Sequence, residues 1–268
     1  MNEYTGRGYF MDFGKVKCLI GEGIASVILD FPSNLNAFDE TLTADLIAAL
    51  DYAEKNEAVN AIVLTSSGRA FSAGGDIGFM YDGIKNNKIN IRRLVRLVSD
   101  LSIKIKKLPK PVIASIRGAA AGAGFNTALL CDFIIAADNA KFIQAFVNIG
   151  LVPDTAGAYL LAKSVGVHKA TDLIMTGRVV TAKEAKDLGI VYQVTTEEEL
   201  EQETMKFARK MANGPTVAYG LMKDLLYKTD FKDFEDYLNW EVEYQVACSH
   251  TDHHIKCVLD FMEKRKTN

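Results

Sequence analysis

The sequence predicts an α/β fold, with a parallel sheet in the first two thirds of the chain and a mainly helical last third. Three observations predict it. Apolar runs of strand length alternate with segments of helical spacing, and strand–helix alternation builds a parallel sheet. Two of those runs, Ala61 to Thr65 and Val112 to Ile116, lead into turns rich in small residues: Ala70-Phe71-Ser72-Ala73-Gly74-Gly75-Asp76-Ile77 and Gly118-Ala119-Ala120-Ala121-Gly122-Ala123-Gly124-Phe125-Asn126. From Thr155 onward the helical period dominates. At 268 residues and 49% hydrophobic composition, the chain can bury one large core, or one core and a small lobe.

The elements follow in order. Met1 to Met11 reads as a loose extension without the apolar stretch of a signal peptide. Val16 to Ile20 and Ile24 to Leu29 pair around Gly21-Glu22-Gly23. Asp39 caps a helix whose stripe is Leu42, Leu46, Ala49, Leu50 and Ala53. The first glycine-rich turn follows the strand at Ala61 to Thr65, and Tyr81 to Asn90 reads as a mobile loop. Ile91 to Leu108 keeps helical spacing up to Pro109, and Pro111 precedes the next strand. Phe125 to Leu130 is expected as a short buried helix and Phe133 to Ala136 as a strand. Helices are expected over Thr155 to Val165 and Val167 to Thr176, and a capping box, Thr181 to Glu184, opens another. Ile190 to Val194 is the last strand. Helices over Glu197 to Asn213 and Thr216 to Tyr227 follow, then one marked by Phe234, Leu238, Val242 and Val246, then Asp252 to Lys264. The division expected is residues 1–194 and residues 195–268.

Composition narrows the function. A net charge of −3 does not suit a nucleic-acid surface. No apolar run is long enough to span a bilayer. Cys18, Cys131, Cys248 and Cys257 are scattered, with no Cys-x-x-Cys spacing, and read as reduced thiols of a cytoplasmic protein.

Gly, Ala and Ser leave no bulk above the backbone, so a ligand can come close to the N–H groups. If the two turns face each other, two N–H groups can converge on one oxygen as an oxyanion hole. The plainer reading is that small residues merely permit tight turns. The segment after the second turn, Phe142 to Asp154, is apolar and ends in a single acid, which favours function.

With these motifs the chain resembles the enoyl-CoA hydratase/isomerase (crotonase) superfamily. The resemblance rests on Asn34-Leu35-Asn36-Ala37, Ala70 to Ile77, Gly118 to Asp132, Thr176-Gly177-Arg178 through Leu188-Gly189, and Phe261 to Arg265. It implies a ββα spiral core that binds acyl-CoA, and a helical C-terminal trimerisation region giving a homotrimer or dimer of trimers. It implies no cofactor, CoA entering as part of the substrate; an acyl carrier protein thioester is the other partner expected. It implies a thioester carbonyl held by the N–H groups of Ala73 and Ala123. Ala37, Gly74, Gly75, Asp76, Ile77, Gly124 and Phe146 are expected near the ligand. The tail from Lys264 is expected near the 3′-phosphate of CoA in a neighbouring subunit.

The departures bear on the reaction. Hydratases of the family use two glutamates, and the matching positions here are Asn126 and Phe146, which carry no acid. Asp154 resembles instead the single aspartate of the phenylacetate-type isomerase branch, and the nucleophile of the aryl-CoA dehalogenases. One carboxylate in an apolar setting suits a double-bond shift, since it can take a proton from one carbon and return it to another. Asp154 would also serve simply as an N-cap. A hydratase with other acids and an acyl-CoA-binding relative without activity stay open. A dehalogenating or hydrolytic enzyme is disfavoured, because no His stands near the first turn to act on an aspartyl ester.

Other residues read as structural. His250, His253 and His254 lie with Asp252 at a helix start, taken as solvated rather than metal-binding. Ser72 lacks a nucleophile elbow. Gly74-Gly75-Asp76 lacks the spacing of a phosphate loop. Trp240 is expected in the core or at a subunit contact.

Overall fold

The computed structural model of the protein describes residues 9–86 and 90–267, with side chains to Lys264. In chain order the elements are β1 (Tyr9–Asp12), β2 (Val16–Gly21), β3 (Ile24–Leu29), α1 (Glu40–Lys55), β4 (Ala61–Ser66), α2 (Ile77–Lys85), α3 (Ile91–Lys107), β5 (Val112–Ile116), β6 (Ala119–Ala121), α4 (Ala123–Leu130), β7 (Phe133–Ala137) and β8 (Lys141–Ile143). There follow α5 (Gly157–Val165), α6 (Val167–Thr176), β9 (Val179–Thr181), α7 (Ala182–Asp187), β10 (Gln193–Thr195), α8 (Leu200–Ala212), α9 (Thr216–Asp230), α10 (Phe234–Ser249) and α11 (Asp252–Thr267). A seven-stranded sheet has the order β1-β2-β3-β4-β5-β7-β10, and β6, β8 and β9 form a second, three-stranded sheet. From β3 to β10 every pairing of the large sheet is parallel.

The continuous apolar runs of β4, β5 and β7 have a direct cause: the sheet is covered on both faces. Ile62, Leu64, Ala114 and Ile134 point to the main core shared with α1, α3 and α4. Their neighbours Ala61, Val63, Ile113 and Ile135 point the other way, against Leu200, Ala208 and Met211 of α8. Helix α8 therefore packs on the sheet itself.

Most elements stand where the sequence placed them, including the Asp39 cap, which accepts from Leu42 N–H at 2.7 Å, and the Thr181 cap on Glu184 N–H at 3.2 Å. Four differ. Tyr9–Asp12 is a strand paired with β2, while Met1 to Gly8 lie outside the described residues. Helix α2 runs through Lys85, so residues 81–85 are helix rather than loop, because Asp76 caps it. Helix α5 begins at Gly157, since Thr155 and Ala156 are left-handed. The last strand begins at Gln193. The small sheet was not legible, because its strands are only 3 residues long.

Candidate functional site

β4 and β5 are parallel neighbours, so the turns that follow them leave the same edge of the sheet. They meet there. Ser72 bridges Ala120, with Ser72 N–H donating to Ala119 O and Ala121 N–H to Ser72 O, each at 3.0 Å. A Cβ on Gly124 would fall 2.5 Å from Ser72 Cβ, so only glycine lets the turns approach this closely.

Ala123 is the first residue of α4. Its N–H, with those of Gly124 and Phe125, belongs to the donors a helix start leaves without intrahelical partners; the first helical bond is from Asn126 N–H to Gly122 O, at 3.0 Å. Ala73 differs. Its N–H donates to Leu35 O at 2.9 Å, from a loop in which Leu35 and Asn36 have φ of 51° and 53°. Asn36 locks that loop by accepting from Phe31 N–H and donating to Ser67 O and Ala70 O. The first donor read from the sequence is thus engaged by the protein's own carbonyl.

Around the turns, Asp76 caps α2, accepting from Gly78 and Phe79 N–H, and also accepts from Asn34 Nδ2 at 2.9 Å. Gly75 bridges Phe38, and Ala37 is buried beside it in sequence. Ile77 opens α2. Phe146 is buried; its ring lies 3.5 Å from where a Cβ on Gly122 would sit. It belongs to an apolar cluster with Ile91, Val95, Leu151 and Val242, packed by Met80. A cavity of about 210 Å³ adjoins this cluster, lined among others by Phe79, Met80, Ile91 and His254. Lys264 stands exposed near the end of α11.

Asp154 sits under the second turn. Asn126 Nδ2 donates to its backbone carbonyl at 2.7 Å and Asn126 Oδ1 accepts from Gln144 Nε2 at 2.7 Å. The Asp154 carboxyl accepts from Thr155 Oγ at 2.8 Å and, at 3.4 Å, from Gln245 Nε2, which also donates to Val152 O at 2.6 Å. Asp154 is partly exposed as a residue, while its carboxyl is packed in. Burial raises its pKa to about 7, a shift the Thr155 hydroxyl partly opposes. The carboxylate does not cap α5, whose N-cap is Ala156 without a side-chain bond. The capping alternative therefore does not describe this residue.

Sequence reasoning missed Gln144, Gln245 and above all Glu241. Glu241 is 3% exposed, and its Oε1 accepts from Ala156 N–H at 3.2 Å. Burial, and then the nearby Asp154, push its pKa well above the usual carboxylate range. The signal was available: Glu241 and Gln245 are in helical phase with Phe234, Leu238 and Val242, so a carboxyl and an amide lie on an apolar stripe. His254 also differs from expectation, being buried with Nδ1 against Ile149 O at 2.6 Å. Trp240 is 65% exposed and so is not a core residue.

Comparison with known proteins gives a consistent result. Residues 20–268 match the family model for enoyl-CoA hydratase/isomerase. The chain is 35% identical to trans-2-decenoyl-(acyl-carrier-protein) isomerase of Streptococcus mutans, over 96% of this chain and 98% of that protein. It is 32% identical to 1,2-epoxyphenylacetyl-CoA isomerase of Escherichia coli, over 92% and 94%. Among solved structures it resembles an enoyl-CoA hydratase from Mycobacterium avium subsp. paratuberculosis, with a TM-score of 0.85 and 27% identity over 94% of this chain and 96% of that one.

Proposed function

Since the chain belongs to the enoyl-CoA hydratase/isomerase (crotonase) family, we propose that it moves a C3 double bond of an acyl thioester to C2, with Asp154 as the one proton carrier. The observation that carries this reading is the pair of carboxyls under the second turn. Asp154 is partly exposed as a residue, whereas Glu241 is buried, which favours Asp154 as the base that meets a substrate. The hydratase glutamate positions hold Asn126, tied to Gln144 and to the Asp154 backbone, and the buried ring of Phe146. Neither moves a proton.

In this mechanism the thioester oxygen lies between the N–H groups of Ala73 and Ala123, taking the place of Leu35 O on the first. Asp154 removes a proton from C2, and the electron pair spreads to the oxygen and to C4. The N–H groups stabilise that charge. The proton then passes from Asp154 to C4, which leaves the double bond at C2 and the carboxylate regenerated. A carboxyl with a pKa of about 7 is a stronger base than an ordinary one and is still about half ionised at neutral pH. The names of two relatives, both isomerases, support the reaction. One of them names an acyl carrier protein, which keeps both thioester carriers in view. Ala37, Gly74 to Ile77, Gly124, Phe146 and Lys264 are assigned to the ligand on the same reading.

A second reading, hydration of a 2-enoyl thioester, is favoured by one observation: Glu241 supplies a second acid next to Asp154. The two separate in one assay set, in which conversion of 3-enoyl-CoA to the conjugated 2-enoyl form is measured beside hydration of 2-enoyl-CoA. Isomerisation lost in Asp154→Asn supports the proposal. Strong hydration by the wild type, with little isomerisation, overturns it.

A further inference from the structure

Glu241 is a buried carboxyl that the mechanism leaves unused. It comes from α10, far along the chain, and reaches the turn that carries Asp154. That turn is unusual. Thr155 and Ala156 have φ of 55° and 59°, and a β-branched residue in this region is a genuine outlier. Such backbone persists only where its surroundings hold it. Three bonds do so here. Asn126 Nδ2 and Gly157 N–H both donate to Asp154 O, and Ala156 N–H donates to Glu241 Oε1.

The polar environments of the two acids are unequal. Asp154 receives the Thr155 hydroxyl and the Gln245 amide and is partly exposed as a residue. Glu241 is 3% exposed; its Oε1 accepts the Ala156 N–H, the Thr155 N–H and the Tyr237 hydroxyl are turned toward it, and its Oε2 makes no hydrogen bond among the described residues. Close carboxylates in a poorly solvated site do not both ionise. The charge therefore belongs on Asp154. The groups facing Glu241 do not alter this. Tyr237, on the same helix, turns toward it, and Tyr159 of α5 meets Tyr237 through its backbone. Arg92 of α3, the helix packed along α10, is taken up by Glu243 at the surface. His254 of α11 is bonded to Ile149 O.

We propose that Glu241 is a positioning residue for Asp154, holding the Asp154–Thr155–Ala156 turn through the Ala156 N–H and remaining the neutral member of a two-carboxyl pair, so that the pair's one negative charge rests on the residue that meets the substrate. Only the kinetic half of this inference rests on the isomerase reading.

The test compares the wild type with Glu241→Gln and Glu241→Leu. The amide of Gln still accepts the Ala156 N–H and imitates a neutral acid, whereas Leu fills the space without an acceptor. Turnover of 3-enoyl-CoA should stay within about threefold in the Gln variant and fall at least about tenfold in the Leu variant, with KM moving less than about twofold, as for lost transition-state positioning. Wild-type turnover in the Leu variant overturns the positioning role.

The second measurement needs no substrate: unfolding stability against pH. A neutral Glu241 keeps its proton in the folded protein, while the unfolded chain releases it above the ordinary carboxylate pKa. The folded state then binds more protons, so wild-type stability falls with rising pH relative to Glu241→Gln. The ratio of their folding constants should drop about tenfold per pH unit between about pH 5 and the folded pKa. A ratio independent of pH over that range overturns the neutral-acid assignment. If the Leu variant does not fold, this slope and the turnover of the Gln variant decide: a flat slope, or a Gln turnover tenfold down, overturns the proposal. If the wild type does not isomerise at all, the functional reading fails alone, and the slope still judges Glu241.

Discussion

Asp154 is partly exposed as a residue, yet its carboxyl is packed densely enough to raise its pKa to about 7. Its replacement by Asn keeps the size and removes the base, so isomerisation should fall at least about 10²-fold with substrate binding retained, the usual scale for a general base. Turnover near wild type in Asp154→Asn would assign the proton transfer to another group. Because the base must be ionised, and its pKa is raised, kcat/KM of the wild type should rise with pH through about 7 and level off above it. A profile already flat from pH 5 would mean that the working carboxylate is an ordinary, solvated one. Gly157 makes a separate test. A Cβ there would lie 2.1 Å from Asn126 Nδ2, so Gly157→Ala should push Asn126 off the Asp154 carbonyl. Overpacking of this kind costs about 1–3 kcal/mol, measurable by denaturant unfolding, and turnover should drop with it. Unchanged stability would show that Asn126 yields without strain.

At the scale of elements, the start of α4 supplies the donor. Ala123 is its first residue, a position where proline is tolerated because the N–H it lacks has no partner within the helix. Ala123→Pro should therefore leave the circular dichroism spectrum unchanged and reduce turnover about 10²–10³-fold, as for other oxyanion donors. Full activity in the folded variant would remove Ala123 from the mechanism. The loop of Leu35 and Asn36 is the counterpart of α4. It holds Ala73 N–H by Leu35 O, so a thioester gains only the difference between its own bond and the one it displaces.

At the scale of the whole molecule, helix α9 has no buried residue among those described. Val217, Leu221, Met222, Leu225 and Leu226 of α9 are between 54% and 77% exposed, and apolar surface gathered in this way marks an interaction face. We expect this face to lie between copies of the chain in a trimer or a dimer of trimers. Light scattering at micromolar concentration should give a mass of at least three chains, and Leu221→Glu with Leu225→Glu should lower it. A stable wild-type monomer would end this expectation. No helix among the described residues is long and apolar enough to cross a membrane.

The sequence by itself determined the parallel sheet, because β4, β5 and β7 are continuous apolar runs that must be covered on both faces, and they alternate with helices. It also determined the two small-residue turns and the acid at Asp154, since each is a local run of residue types. The tertiary structure alone decided which groups surround Asp154. Asn126, Gln144, Glu241 and Gln245 come from segments up to 91 positions away from it, and no local pattern relates them. It decided also that Ala73 N–H is taken by Leu35 O, and that Asp154 precedes the α5 cap instead of forming it. Both follow from left-handed backbone at residues other than glycine, at Leu35, Asn36, Thr155 and Ala156. Such backbone is disfavoured by residue type and held only by distant partners, so propensity reads past it.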